Sequence, residues 1–174
     1  MTKELHQNIC DKTLFSKLYK KYAQGLSNLL YYKYGETLNP SDKVQDAFIK
    51  VWENCAKVTV KTAKSYLYTV ANNMMLNEAK HQKVVLNYRK VKPKDYTNET
   101  PEFLMRKEEF LVRYKKVLSN LKPEQREAFM LSKIEDKTHR EIAEMIGVTK
   151  KVVEHRIYAA FAILKEQLED FKLK

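Results

Sequence analysis

Glycine and proline are scarce in this 174-residue chain, with three of one and four of the other. An all-β sandwich or barrel needs turn residues every 8–12 positions, so that class is excluded. Gly25, Gly35 and Gly147 lie too far apart for a GxGxxG or GxxxxGK[ST] phosphate cradle, which removes dinucleotide-binding and P-loop enzymes. Cysteine is nearly absent as well. Cys10 and Cys55 form neither a metal-ligand spacing nor a disulfide framework, so a reducing compartment is the default expectation. No apolar run approaches the ~18 residues of a membrane span, and the first residues carry no apolar signal core. A non-exported, non-membrane protein is expected.

Charge is what the chain has in excess. Thirty-three Lys and Arg against 22 Asp and Glu give +11. The excess is uneven: residues 1–90 carry 15 basic and 7 acidic side chains, residues 91–174 carry 18 and 15. Between Lys57 and Lys94 nine basic residues face one acid, Glu78. Such a block is an electrostatic footprint for a polyanion.

Helical periodicity runs almost throughout. Leu14, Phe15, Leu18, Tyr19, Tyr22, Leu26, Leu29 and Leu30 form one i, i+3/i+4 stripe. Val44, Ala47, Phe48, Val51, Trp52 and Cys55 form a second, behind a start signal at Asn39-Pro40-Ser41-Asp42. Tyr66, Leu67, Val70, Ala71 and Met74 form a third. The pattern lapses over 87–102, which contains Pro93 and Pro101, and resumes from Phe103 to Leu121. Pro123 then opens a helix over 124–133. The expected architecture is all-α: two small helical domains, 1–86 and 103–174, joined by a basic flexible linker, 87–102.

The second domain carries the sharper motif. Thr138-His139-Arg140-Glu141 has the form of a capping box and predicts a helix start at Thr138. Gly147 ends that helix, Val148 plugs the turn, and Thr149 caps a second helix holding Val152, Val153, Ile157, Phe161 and Leu164. Together they make a helix-turn-helix, whose second helix enters the DNA major groove. Lys150, Lys151, Glu154, His155, Arg156 and Tyr158 remain on it for phosphates and base edges. No Cys or carboxylate cluster accompanies His155, so no metal is expected, and no organic cofactor.

With both halves in view, the chain resembles the extracytoplasmic-function (ECF) type of bacterial RNA polymerase sigma factor. SDKVQDAFIKVWEN and SYLYTVANNMMLNEAK resemble that family's second region, and QREAFMLSKIEDKTHREIAEMIGVTKKVVEHRIYAAFAILKEQL its fourth. The resemblance implies a cytoplasmic specificity subunit, not an enzyme. Its partners would be the clamp coiled coil of the polymerase core, promoter DNA as duplex and as single strand, and an anti-sigma factor. Asp42, Gln45 and Asp46 match the core-docking motif; their spacing puts them on one helix face, opposite Phe48 and Trp52. Lys43 replaces the apolar residue usual beside them.

Residues 55–64 match the loop that captures an unpaired base of the −10 element. Lys57, Lys61 and Lys64 lie in it, and Thr69, Asn73, Asn77 and Lys80 continue as a polar stripe at helical spacing. Amides there can bond base edges, while Lys80, Lys83 and Arg89 can hold phosphates. Tyr66 and Tyr68 could stack on bases, with Tyr66 the better candidate for the core. In the fourth region the match for reading the −35 element falls on Glu154, His155, Arg156 and Tyr158, and Ala159 stands where many relatives carry Arg. The alternative reading is a stand-alone helix-turn-helix regulator whose first domain senses a ligand or dimerises.

Overall fold

A computed structural model of the chain describes residues 8–79 and 101–168, and the following concerns those residues. Seven α-helices are present among them: α1 (Lys12–Tyr34), α2 (Pro40–Glu53), α3 (Val60–Ala79), α4 (Pro101–Asn120), α5 (Pro123–Lys133), α6 (His139–Ile146) and α7 (Lys150–Gln167). A 3-10 turn, Cys55–Lys57, links α2 to α3. The all-α expectation holds. The second domain's first helix starts at Pro101, two residues earlier than the pattern indicated; proline tolerates a first helical turn, because its missing N–H has no partner there anyway.

Local chemistry accounts for the boundaries. Asp11 caps α1, its Oδ1 accepting from the Thr13 and Leu14 amides at 2.9 Å. Gly35 closes α1 at φ 81°, donating to Tyr31 O at 2.8 Å. Pro40 takes the first turn of α2 after Asn39. Most of the three sequence stripes turns inward: Leu26, Leu30, Val51, Leu67 and Ala71 are fully enclosed where α1, α2 and α3 meet, joined by Ala63 and Met75, while Tyr19 and Trp52 stay exposed. At the α1–α2 seam Phe15 packs edge-on against Trp52, ring centroids 4.8 Å apart, and Tyr19 packs on Phe48 at the same distance.

The second core is built from α4 to α7 around Phe129, Leu131, Ile142, Val153, Ala160 and Leu164. Val152, expected on the apolar side of α7, is 38 % exposed; Val153 and Ile157 take the buried positions instead.

The two domains are in contact, with α1 packed along α5. Arg126 on α5 is fully buried in the join. Its Nε donates to Tyr32 O at 2.6 Å and its Nη2 to Lys33 O at 2.5 Å, both at the C-terminal end of α1. Nη1 donates to the carbonyls of Leu118, Ser119 and Leu121 at 3.1–3.3 Å, which end α4. One guanidinium thus satisfies orphan carbonyls of two helices in two domains. Beside it Glu135 accepts from Asn28 Nδ2 at 2.7 Å and Tyr32 Oη at 2.6 Å.

The cysteines differ from expectation. Cys10 and Cys55 are joined in a disulfide, with Cα atoms 5.0 Å apart. Sequence spacing gave no sign of this pair because the two cysteines are 45 positions apart, and the chain between them forms two packed helices that return it to its starting point.

A candidate nucleic-acid interface

The helix-turn-helix is built as its sequence predicts. Thr138 N donates to Glu141 Oε2 at 2.8 Å, and Glu141 N donates to Thr138 Oγ1 at 3.3 Å, completing a capping box. The Thr138 hydroxyl, which donates to the same carboxylate oxygen at 2.7 Å, and the Thr138 amide hold the Glu141 carboxyl below the usual carboxylate range. Gly147 adopts φ 71°, ψ 35° and donates to Ala143 O, and the Val148 amide bonds the same carbonyl at 3.1 Å. A side chain at Gly147 would be strained by that φ, although the space around it is open. Thr149 Oγ1 accepts from Val152 N at 3.3 Å and starts α7.

On α7, Lys150, Lys151, His155 and Tyr158 are exposed. Tyr158 is the most open large hydrophobic side chain among the described residues, at 70 %. Glu154 is half-buried and already engaged: Lys150 Nζ lies 3.2 Å away and His139 Nδ1 3.5 Å away. The hydrogen bond from Lys150 is the main reason its carboxyl is held below the usual range. Arg156 lies off this face. It is half-buried, and its charge is one of those favouring ionised Glu127 on α5. So the structure groups Lys150, Lys151, Glu154, His155 and Tyr158 and leaves Arg156 apart.

In the first domain Asp42, Gln45 and Asp46 are all exposed on α2. The expected opposition to Trp52 does not hold: Gln45 lines one apolar groove together with Phe15, Tyr19, Phe48, Ile49 and Trp52. Trp52 keeps 36 % exposure because it packs over the outer edge of α1 rather than into the core. Lys43 turns away from the acidic face to Glu78 on α3, Nζ to Oε1 2.7 Å. That bond raises its pKa and explains how a lysine fits between two exposed aspartates.

The turn and start of α3 wall an open groove of about 490 Å³ lined by Asn54, Lys57, Val58, Thr62, Ser65, Tyr66 and Thr69. Lys57 and Lys61 are exposed and Lys64 is half-buried; Thr69, Asn73 and Asn77 stand exposed along α3. Lys80, Lys83 and Arg89 lie outside the described residues. Both tyrosines are half-buried against the first core, Tyr66 as expected and Tyr68 with it. Tyr66 borders the groove, whereas burial of Tyr68 pushes its hydroxyl up to about 12.

Asn72, which sequence reasoning passed over, accepts from Lys33 Nζ at 3.1 Å and Tyr34 Oη at 2.8 Å. Its neighbours Thr69 and Asn73 line a cleft of about 220 Å³ whose far wall is Glu144–Gly147 of the helix-turn-helix. The polar stripe of one domain therefore faces the turn of the other.

Comparison with known proteins agrees with this arrangement. The profile of sigma-70 region 2 matches residues 18–84, and that of sigma-70 region 4 matches residues 111–164. The chain is thus a sigma factor, a subunit that directs RNA polymerase to promoters. Within that class it belongs to the ECF type. The ferric citrate uptake sigma factor FecI of Escherichia coli is 28 % identical over 152 residues, covering 81 % of this chain and 87 % of that one. The ECF RNA polymerase sigma factor SigE of Mycolicibacterium smegmatis is 24 % identical over 165 residues, covering 92 % of this chain and 62 % of that one. The RNA polymerase sigma factor YlaC of Bacillus subtilis is 23 % identical over 158 residues, 87 % of this chain and 90 % of that one. The stand-alone regulator reading is not favoured. Sigma factors are non-enzymatic, and no helix among the described residues is long and apolar enough to cross a membrane.

Proposed function

We propose that the α2 face of Asp42, Gln45 and Asp46 docks on the clamp coiled coil of the polymerase core, that the groove before α3 captures the melted −10 strand, and that α7 reads the duplex −35 element. The observation that carries this reading is the groove itself. It is open, edged by Lys57 and by Tyr66, and continuous through Thr69 with the exposed Asn73 and Asn77. A strand needs those features together: cations for phosphate, an aromatic face for a base, amides for base edges. An extruded base gains contacts there that offset a few kcal/mol of unstacking.

Lys80 and Lys83 would extend the cationic track, and Lys57, Lys61 and Lys64 would hold its near end. On α7, Lys150 and Lys151 would meet phosphate, with Glu154, His155 and Tyr158 deeper in the groove; Arg156, half-buried on another side of α7, would need to turn to join them. An anti-sigma factor would hold the protein off the core in the cytoplasm.

Permanganate footprinting of melted thymines tests the strand-capture step. Replacing Asn73 and Asn77 with Ala should sharply reduce open-complex formation while closed binding to duplex promoter persists. Alanine favours helix over asparagine, so lost melting would not come from unfolding. Normal melting by the double variant would overturn the assignment.

A further inference from the structure

The geometry points to the Cys10–Cys55 pair as a redox modification site that sets the affinity of the strand-capture groove; this rests on the groove's role proposed above. Cys55 opens the 3-10 turn whose last residue, Lys57, is part of the groove wall. Cys10 lies on the short segment that runs behind that wall. There Ile9 N donates to Val58 O at 3.2 Å, Asn8 bridges Thr59, and the Ile9 side chain is 1 % exposed.

Val58 is a groove residue itself, so the backbone that forms the wall is held from behind by the short pairing with residues 8 and 9, by the buried Ile9 side chain and by the disulfide. Asn54 and Lys57, also on the wall, flank Cys55 at one and two residues. Cys10 is exposed and Cys55 half-buried, so small oxidants and reductants reach the bond without unfolding the domain. Among the described residues there is no other cysteine to compete for either partner.

The chemistry balances with ordinary oxidants. A peroxide accepts two electrons: the thiolate of exposed Cys10 takes one oxygen to become a sulfenic acid, with release of water. Attack by the Cys55 thiol then forms the S–S bond and releases a second water. A low-molecular-weight disulfide does the same by exchange, leaving as two thiols. Two external thiols reverse either route.

Oxidation fixes the wall before the strand arrives, so less ordering cost falls on binding. The oxidised protein is the tighter strand binder, and reduction relaxes the groove while leaving α7 untouched. The switch therefore acts on strand capture and not on duplex −35 recognition.

The test uses full-length protein bound to core polymerase and a pool of short, fluorescent single-stranded DNA of randomised sequence. Protein treated with hydrogen peroxide or with dithiothreitol is compared at equal helical content, with the bond scored by its mass loss of two hydrogens. Strand retention should fall roughly fivefold on reduction, the scale of one wall side chain left to be immobilised on binding. Cys10→Ser, whose side chain lies in solvent, should behave as the reduced protein under both treatments, and Cys55→Ser should match it. Equal retention by the two forms, or tighter binding by the reduced form, would overturn the switch and leave strand capture standing. Retention by neither form would instead remove the strand-capture reading and the switch with it. A bond that merely stabilises the fold would shift melting temperature without changing retention at a temperature where both forms are folded.

Discussion

Arg126 ends on the carbonyl of Tyr32, with its Nε 2.6 Å from an oxygen in the other domain. A second bond reaches Lys33 O, and three more satisfy the end of α4. Burial lowers its pKa to about 10, opposed by Glu124 and Glu127, so the side chain stays charged at neutral pH. A buried cation with this many acceptors is fixed in one position, and it fixes α5 against α1.

Arg126→Ala should therefore destabilise the protein by about 3 kcal/mol or more, since it strands buried carbonyls and leaves a cavity. Urea unfolding measures it. Arg126→Lys should recover only part of the loss, because one ammonium cannot reach both helix ends with a planar fork. A full rescue by lysine would mean that charge, not geometry, is what the join requires.

The contact between Glu135 and the pair Asn28 and Tyr32 is the second tie between domains. It lies nearer the solvent, so Glu135→Lys should weaken the join without unfolding either core. The expected result is a larger radius of gyration in solution scattering, with helical content kept. An unchanged radius would show that the join does not depend on Glu135.

Glu127 brings a pH dependence to the same join. It is 1 % exposed, and burial raises its pKa; Lys33 on α1 and Arg156 on α7 pull it back, while Glu124 pushes it further. Lys33 Nζ stands 3.5 Å from Oε2, near enough for attraction, yet that oxygen has no hydrogen-bond partner. A carboxyl with a raised native pKa binds its proton more tightly folded than unfolded. Its stabilisation is thus complete below the ordinary glutamate value and is lost as pH rises through the native one. Denaturation across that window should show wild type losing stability with rising pH, and Glu127→Gln lacking that component. Parallel pH profiles for the two would assign the dependence elsewhere.

Much of this was legible in the sequence, for physical reasons that can be named. The capping box at Thr138, the left-handed Gly147 and the Thr149 cap are local signals, read within a few residues, and each is found where its pattern put it. The three stripes of the first domain likewise supplied most of its core, Tyr19 and Trp52 excepted. What did not show was non-local. Arg126 reads as an ordinary surface arginine until α1 is placed beside it, and the Cys10–Cys55 bond needs two helices to close first. Periodicity marked Tyr66 for the core, but the groove it also borders forms only once the turn before α3 is in place. The half-buried position of Arg156 beside Glu127 depends on packing between α5 and α7, which spacing along α7 alone cannot convey.

Core docking gives a prediction of another kind. Asp46 is exposed, and substitution there should not disturb the fold. Asp46→Arg should weaken competition for core polymerase against another sigma factor, at matched helical content. Gln45 shares its groove with Ile49 and Trp52, so Trp52→Ala should also weaken docking if that apolar edge joins the interface. Undiminished competition by Asp46→Arg would remove the α2 face from the docking surface.

The last prediction concerns what each side of α7 does. Lys151 is exposed in the first turn and, among the described residues, has no ion pair comparable to that of Lys150 with Glu154. As a phosphate contact it should act on all sequences alike: Lys151→Ala should lower the salt slope by about one unit and keep the −35 preference. Glu154 is held by Lys150 and by His139, which orients its carboxylate before DNA arrives. If it accepts from a base, Glu154→Ala should cost about 1–3 kcal/mol against the preferred sequence alone and relax discrimination at one step. Losing it also frees Lys150, so general affinity should not fall. If the carboxylate only pairs with Lys150 along the helix, its contribution is a few tenths of a kcal/mol and blind to sequence. Selection from a randomised −35 library separates the two: a changed preference at one base pair assigns base reading to Glu154, and identical preferences leave it as the brace between α6 and α7.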